Sequence, residues 1–284
     1  MTAGRFTGFA CFDWSGAAVE RPPGLAFAVA GRAGPPRLIE RRWSRADALE
    51  LLRGLARSGE PMLIGLDLSP ALPFADRDTY FPGWADSPPD ARALWNLVDD
   101  LSADDPHMSA AGFLRHPEVA RHFRQTGREG DRFGGGRGRL RVTEQRMPGA
   151  PSSCFNLVGA GQVGKSSLTG MRVLHRLAGA IPVWPFDPVP PDGPVIVEVY
   201  PRLAALAAGV AQGRKLRTRE ALTAALAALG SPDHDALAAY PDDATDAILT
   251  AAWLRAVADD PALWSPPALT PDLARTEGWT FGVP

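Results

Sequence analysis

The stretch FTGFACFDWSG at residues 6–16 decides the fold, because an apolar run here ends on an acid and a turn follows at once. The apolar character of residues 6–13 predicts a buried strand, and residues 14–16 form the turn. Two further strands are predicted at residues 25–30 and 37–43, joined by a Gly/Pro-rich turn. Three successive strands at this spacing predict an antiparallel meander.

Acidic residues recur near the ends of the predicted buried strands. Asp13 ends the first strand, Asp67 lies near the end of a strand at residues 62–68, and Glu198 lies near the end of a strand at residues 195–199. Burying an unpaired charge is costly, and α/β sheets build their sites at the carboxyl ends of strands. Each acid alone could equally be a turn former or a helix cap, so the recurrence carries the argument.

A fourth acid lies on the late helix predicted at residues 244–257. Asp246 follows Asp243 by three residues, so the two share one helix face, directed at the edge of the sheet. Carboxylates gathered at one point repel each other unless a cation joins them, and Mg²⁺ or Mn²⁺ prefers such oxygen ligands. The predicted metal ligands are Asp13, Asp67 and Asp246, and Glu198 would complete the catalytic set or orient the water.

The remaining pattern predicts one domain over residues 1–284 with an insertion at 70–150. Ser44 is a predicted N-cap for a helix at residues 46–56. The insertion is too long for an ordinary connection, and short helices are predicted within it near residues 91–101 and 117–124. Further predicted elements are a helix at 171–177, helices at 202–209 and 218–229, and a short edge strand at 277–281.

Composition narrows the class of protein only slightly. The net charge of −2 indicates no partner, and two cysteines form no disulfide framework, which fits a reducing cytoplasm. The first residues lack the pattern of a signal peptide, and the chain has no apolar run long enough for a transmembrane helix. The oligomeric state is undetermined, and a homodimer is compatible with the sequence.

Several segments carry a resemblance to a known family. They are FDWSG (12–16), IGLDLSP (64–70), FNLVGAGQVG (155–164), GM (170–171) with Leu174, EVYP (198–201), Asp243 with Asp246 and Ala247, and EGW (277–279). In this order they resemble the family called domain of unknown function 429, which is grouped with ribonuclease H-like predicted nucleases. The resemblance covers most of the chain except residues 76–145.

The resemblance implies a ribonuclease H-like α/β core, with a five-stranded mixed sheet whose strands one to three are antiparallel, flanked by helices. It matches Asp13 to the carboxylate of the first strand, Asp67 to that of the fourth and Glu198 to that of the fifth, with Asp246 as the acid of the late helix. Trp14 departs from the pattern, because small residues are common after the first acid in this superfamily. The implied activity is metal-dependent cleavage of nucleic acid.

A competing motif, GAGQVGKS at residues 159–166, matches the phosphate-binding P-loop pattern. The candidate phosphate-binding residues are Gly161, Gly164, Lys165 and Ser166. A P-loop requires a strand before it and a helix directly after it, whereas Gly170 is expected to interrupt the helix. Three hypotheses remain for this loop: a P-loop-type nucleotide-binding protein, a contact for a phosphate of the substrate, or a glycine turn that caps a helix. A fourth hypothesis, for the whole chain, is a non-catalytic binding module of the ribonuclease H-like fold.

Arginines are concentrated at residues 115–146, after an acidic stretch at 76–105. Such a basic segment could contact nucleic-acid phosphates, or it could form a solvated surface that pairs with the preceding acids. The histidines of this region, His107, His116 and His122, are expected to be surface residues rather than ligands.

Overall fold

The computed structural model describes residues 4–149, 151–159 and 162–284. Within them the chain has an α/β fold, in which a mixed sheet of six strands is flanked by helices. The strands are β1 (Gly8–Asp13), β2 (Ala26–Gly31), β3 (Arg37–Leu38), β4 (Met62–Asp67), β5 (Arg124–Gln125), β6 (Arg128–Glu129), β7 (Val183–Trp184) and β8 (Val195–Glu198). The α-helices are α1 (Arg45–Ser58), α2 (Ala91–Leu101), α3 (Ala111–Arg115), α4 (Pro117–Ala120), α5 (Val142–Arg146), α6 (Val163–Leu177), α7 (Pro201–Ala207), α8 (Arg219–Ala228), α9 (Asp242–Val257), α10 (Pro261–Trp264) and α11 (Pro271–Thr276).

The strand order in the main sheet is β3-β2-β1-β4-β8-β7. The pairs β1–β2 and β2–β3 are antiparallel, which confirms the predicted meander, whereas β4 pairs in parallel with both β1 and β8. The predicted number of five strands is wrong, because β7 pairs in parallel with β8 and adds a sixth strand at the edge. The third predicted strand is also shorter than expected, because only Arg37 and Leu38 pair with β2.

Side chains that alternate along the strands fill two apolar layers on opposite faces of the sheet. On β1, Ala10 and Phe12 belong to one layer, with α1, α2 and α6. Phe9 and Cys11 belong to the other layer, with α7, α8 and α9. The same alternation determines the face toward which each strand-borne acid points.

Helix α1 begins where the sequence predicts. The Ser44 hydroxyl accepts a hydrogen bond from the Asp47 backbone N–H at 3.0 Å, and the Asp47 carboxylate accepts one from the Ser44 backbone N–H at 3.0 Å. This reciprocal capping box satisfies two backbone N–H groups that have no partner inside the helix. It orients α1 against the sheet layer that contains Phe12.

Helix α6 contradicts the expected break at Gly170, because it continues unbroken from Val163 to Leu177. Packing favours glycine here, since a Cβ atom at this position would overlap the side chain of Leu68, which would have to shift. Leu68 directly follows β4, so the close approach brings α6 against the end of the strand that carries Asp67.

We expect Gly170→Ala to lower the free energy of unfolding by about 1–2 kcal/mol, since overpacking costs about 1–3 kcal/mol and the gain in helix propensity offsets up to about 1 kcal/mol. Urea denaturation measures the change. A matched control is Gly54→Ala in α1, where the nearest atom to an added Cβ is 3.9 Å away, so this variant should be as stable as the parent or more so. Equal stabilisation by both substitutions would show that α6 does not approach Leu68 closely.

The segment between β4 and β7 contains helices α2 to α6 and the small β5–β6 sheet. The predicted helix at residues 91–101 is confirmed, whereas the one at 117–124 ends at Ala120, because Arg124 enters β5. The predicted edge strand at residues 277–281 is reduced to an isolated parallel bridge between Thr280 and Glu198. Among the described residues, no helix combines the length and the apolar character that spanning a membrane requires.

Candidate metal centre

Asp13 and Asp67 are neighbours at the carboxyl ends of two adjacent parallel strands. Residue pairing between β1 and β4 places Asp13 opposite Asp67 in register. Paired residues on adjacent strands point to the same face and are separated by about 4.8 Å. Asp13 lies two residues after Cys11 on β1, and Asp67 lies two residues after Gly65 on β4. Because side chains alternate along a strand, both aspartates point to the face against which α9 packs. Both are only partly exposed.

Asp246 joins this pair from helix α9, which packs across β1 and β2. Its neighbours Ala247 and Ile248 are fully buried, whereas Asp246 retains some exposure at the edge of the sheet. Its carboxylate accepts a hydrogen bond from Lys215 Nζ at 2.7 Å. The charge of Asp246 acts on both Asp13 and Asp67, so the three aspartates lie in the same region of the protein.

The three aspartates are difficult to ionise together. Burial raises the pKa of Asp13 well above its usual range, and the charges of Asp67 and Asp246 raise it further. Burial and the charge of Asp246 raise the pKa of Asp67 to about 8. Burial also raises the pKa of Asp246, although Lys215 opposes the shift. Like charges held this close together repel each other, so the three carboxylates resist simultaneous ionisation.

Glu198 points to the other face of the sheet. It pairs in register with Leu66 on β4, and it lies two residues after Ile196 on β8, so it shares a face with both. Leu66 and Ile196 belong to the apolar layer on the side of the sheet opposite α9. The carboxylate is buried, and the Arg141 guanidinium donates to both of its oxygens, at 2.8 and 2.5 Å. The Thr280 hydroxyl donates to the same carboxylate at 2.7 Å. The structure therefore does not bring Glu198 onto the face of the three aspartates, although it lines a cavity of about 270 Å³ that Asp67 also lines.

The phosphate-binding candidates lie at the start of helix α6, with Gly161 outside the described residues. Lys165 and Ser166 line a cavity of about 370 Å³ together with Asp67. The Gly164 backbone N–H donates to the Asn156 carbonyl at 3.2 Å, and the Ser166 hydroxyl donates to the Val163 carbonyl at 2.8 Å. The Gly164 N–H and the Ser166 hydroxyl therefore already have hydrogen-bond partners within the protein. Because Asp67 lines the same cavity as Lys165 and Ser166, the start of α6 lies close to this acid.

The expected P-loop context is incomplete in the described residues. The apolar run at residues 155–158 is not a strand of the six-stranded sheet, and only Asn156 forms an isolated bridge, with Arg124. The side chain of Lys165 is exposed, and its Nζ donates to Gln162 Oε1 at 3.0 Å. The segment preceding α6 therefore differs from the strand that a P-loop requires.

The turn after Asp13 is held against the same helix. A Cβ atom on Gly16 would overlap the backbone of Lys165 and Ser166, so only glycine allows this approach. The bulky Trp14 is buried in the layer opposite Asp13, and its indole N–H donates to Thr169 Oγ1 at 3.1 Å. Trp14 therefore fixes the turn on α6, and it lines the cavity that Asp67 also lines.

Many arginines of the basic stretch are paired within the protein. Arg139 forms a salt bridge with Asp76, which lies in the acidic stretch, and Arg121 pairs with Asp131. The expectation that His122 is a surface residue is wrong, because it is only 1% exposed and packs against Phe81. Burial and the nearby Arg139 lower the pKa of His122 to about 4, so its imidazole is neutral at pH 7.

The sequence prediction missed Lys215 and Arg141, the two cations that contact the predicted acids. Lys215 lies in the loop between α7 and α8, 31 residues from Asp246, and Arg141 lies 57 residues from Glu198. In the sequence, each of the two is a basic residue among other basic residues. This pattern does not indicate which acid either residue contacts. Contacts at such separations are set by the fold.

Among residues 4–149, 151–159 and 162–284, no three acidic, histidine or cysteine side chains are already arranged as a complete metal-binding group. A scan against protein-family models, a search of curated proteins and a search of solved structures found no match to the chain. The class defined by the fold is therefore an α/β protein with a mixed six-stranded sheet. The resemblance to the family of domain of unknown function 429 stays a prediction.

Proposed function

We propose that the protein is a metal-dependent phosphodiesterase of ribonuclease H-like fold that cleaves nucleic acid. The observation that carries the proposal is the in-register pair Asp13 and Asp67, with Asp246 presented to the same face. The strand order β3-β2-β1-β4-β8, with an antiparallel first half, supports the ribonuclease H-like assignment. The assignment of phosphodiester cleavage rests on the carboxylates, whose oxygens can bind the divalent cation that this reaction uses.

The donor set fits Mg²⁺ or Mn²⁺, which prefer carboxylate oxygens over nitrogen or sulfur ligands. Asp13 and Asp67 would hold the cation. Asp246 would serve as a third ligand, either while its carboxylate still accepts the hydrogen bond from Lys215 or after that hydrogen bond breaks. A bound ion of this kind activates water and stabilises the leaving oxygen in phosphodiester cleavage. Glu198 is assigned no direct metal contact, because Arg141 and Thr280 bind its carboxylate.

The groups of the chain around the acids have separate tasks in this proposal. Lys215 neutralises part of the negative charge at Asp246, which limits repulsion of an approaching phosphate. Lys165 and Ser166 line the cavity next to Asp67, where a substrate can contact the start of α6. Trp14 and Gly16 fix the turn after Asp13, which holds that carboxylate in place.

We expect the wild-type protein to cleave at least one form of DNA or RNA when Mg²⁺ or Mn²⁺ is present, and Asp13→Asn to reduce the rate at least about 100-fold. The magnitude follows because changes in residues that only orient metal ligands already cost about 10–100-fold. Gel assays on single-stranded and duplex DNA and RNA measure the rate, and a thermal-shift assay measures metal binding through the rise in Tm.

The matched control is Asp104→Asn, which changes an exposed aspartate outside the site and should leave cleavage and the metal-dependent rise in Tm intact. The proposal is wrong if no substrate is cleaved and if neither metal raises the Tm of the wild-type protein. Retention of a metal effect without cleavage would instead favour a binding module of the same fold.

A further inference from the structure

A third cavity adjoins Asp67 and Asp246 on the side of α7. Its volume is about 250 Å³, and its lining includes the acidic residues Asp67 and Asp246. The lining also includes the basic residues Arg202, Arg214 and Lys215. The cavity therefore presents cations directly beside the carboxylates to which we assign the metal.

Arg202 is the residue that distinguishes this cavity from an ordinary charged surface. It lies in the first turn of α7, the helix that follows the strand carrying Glu198. Its Nη2 atom is buried and has no hydrogen-bond partner within the described residues. Leaving a buried donor of a charged group without a partner is costly, and the described residues supply no acceptor for this one.

The neighbouring groups show which acceptor would fit. Arg214 and Lys215 are exposed, so a ligand can reach them from solvent, and Tyr200 also lines the cavity. Guanidinium groups bind phosphate through paired, charge-assisted hydrogen bonds. Tyr200 also lines the 270 Å³ cavity beside Asp67, so the two cavities adjoin at this residue.

We infer that this cavity binds a phosphate group of the substrate strand next to the phosphate that is cleaved. The inference rests on the proposed function, because that function identifies the neighbouring phosphate as the one that is cleaved. The binding of a phosphate in this cavity rests on Arg202. It assigns the substrate as a polyanionic strand that extends from the aspartates toward α7. Arg202 and Arg214 are binding residues in this assignment, and the aspartates are the catalytic residues.

The test measures binding without metal or cleavage. Fluorescence anisotropy with a labelled single-stranded oligothymidylate in EDTA gives the affinity, and inorganic phosphate serves as a competitor. Arg202→Gln should weaken binding at least about tenfold, because a hydrogen bond to a charged group contributes that much or more. The slope of log affinity against log salt should also decrease in magnitude by about one, as expected for one lost phosphate contact.

The matched control is Arg37→Gln, an exposed arginine on the edge strand β3, which should leave affinity and salt slope unchanged. Arg214→Gln gives an independent test in case Arg202→Gln does not fold, which circular dichroism shows. Unchanged affinity in the folded arginine variants, or an equal loss in Arg37→Gln, would overturn the inference.

The two proposals fail in different ways. Arginine-dependent binding in EDTA without metal-dependent cleavage would support the cavity and reject the nuclease. Metal-dependent cleavage with KM unchanged in Arg202→Gln and Arg214→Gln would support the nuclease and reject the cavity.

Discussion

Replacing Arg141 by methionine is expected to lower the free energy of unfolding by roughly 3–5 kcal/mol, the range for removing one partner of a buried ion pair. Arg141 is fully buried, and its guanidinium contacts two buried carboxylates, those of Glu198 and Glu144. Its Nη1 also donates to the Glu277 carbonyl at 3.0 Å, which joins the C-terminal segment to the sheet. The variant would leave two carboxylates buried without their cation, and urea denaturation followed by circular dichroism measures the loss.

The matched control is Arg115→Met in the same basic stretch. The side chain of Arg115 is 71% exposed and its salt bridge to Asp105 spans 3.4 Å, so this substitution should change stability by no more than about 0.5 kcal/mol. Adding Glu198→Gln to Arg141→Met should restore part of the lost stability, because it removes one uncompensated charge. Equal losses for Arg141→Met and Arg115→Met would contradict a buried ion-pair cluster.

The stability of the wild-type protein should fall as pH rises from about 4 to about 8, and Asp67→Asn should remove much of this dependence. The pKa of Asp67 is about 8 in the folded protein and about 3.9 in an unfolded chain. Between these values the folded state binds more protons than the unfolded state, so stability decreases with pH. At 1.36 kcal/mol per pKa unit, the difference at pH 7 is on the order of 2–4 kcal/mol.

Thermal or urea denaturation of both proteins across this pH range measures the effect. Above pH 7, Asp67→Asn should be the more stable protein without metal, whereas near pH 4 the two should be similar. Mg²⁺ should raise the Tm of the wild-type protein more at pH 8 than at pH 5, because the cation binds ionised carboxylates. Parallel pH profiles for the two proteins would show that Asp67 is not buried beside the other acids.

Local signals in the sequence predicted the central part of the fold. The apolar run that ends at Asp13 is β1, the run that ends near Asp67 is β4, and Ser44 caps α1. These predictions succeed because strand alternation and helix capping depend on residues only a few positions apart. The role of Gly170 cannot be predicted from nearby residues, because it depends on packing against Leu68, about a hundred positions earlier in the chain.

The candidate site was predicted only in part, for an identifiable reason. The sequence indicated that Asp13, Asp67 and Glu198 end buried strands, but one face of a strand cannot be distinguished from the other without the register of its neighbours. Pairing of Glu198 with Leu66 places it on the face opposite the aspartates, and Arg141 then binds its carboxylate.

The sequence by itself determined the α/β pattern, the antiparallel start of the sheet and the positions of the acids along the chain, because these follow from short-range periodicity and composition. The tertiary structure alone decided that Asp13 and Asp67 are in register, that Lys215 contacts Asp246, and that the cavity beside Arg202 adjoins the aspartates. These relations join residues far apart in the chain, and their geometry exists only after the sheet and α9 have packed together.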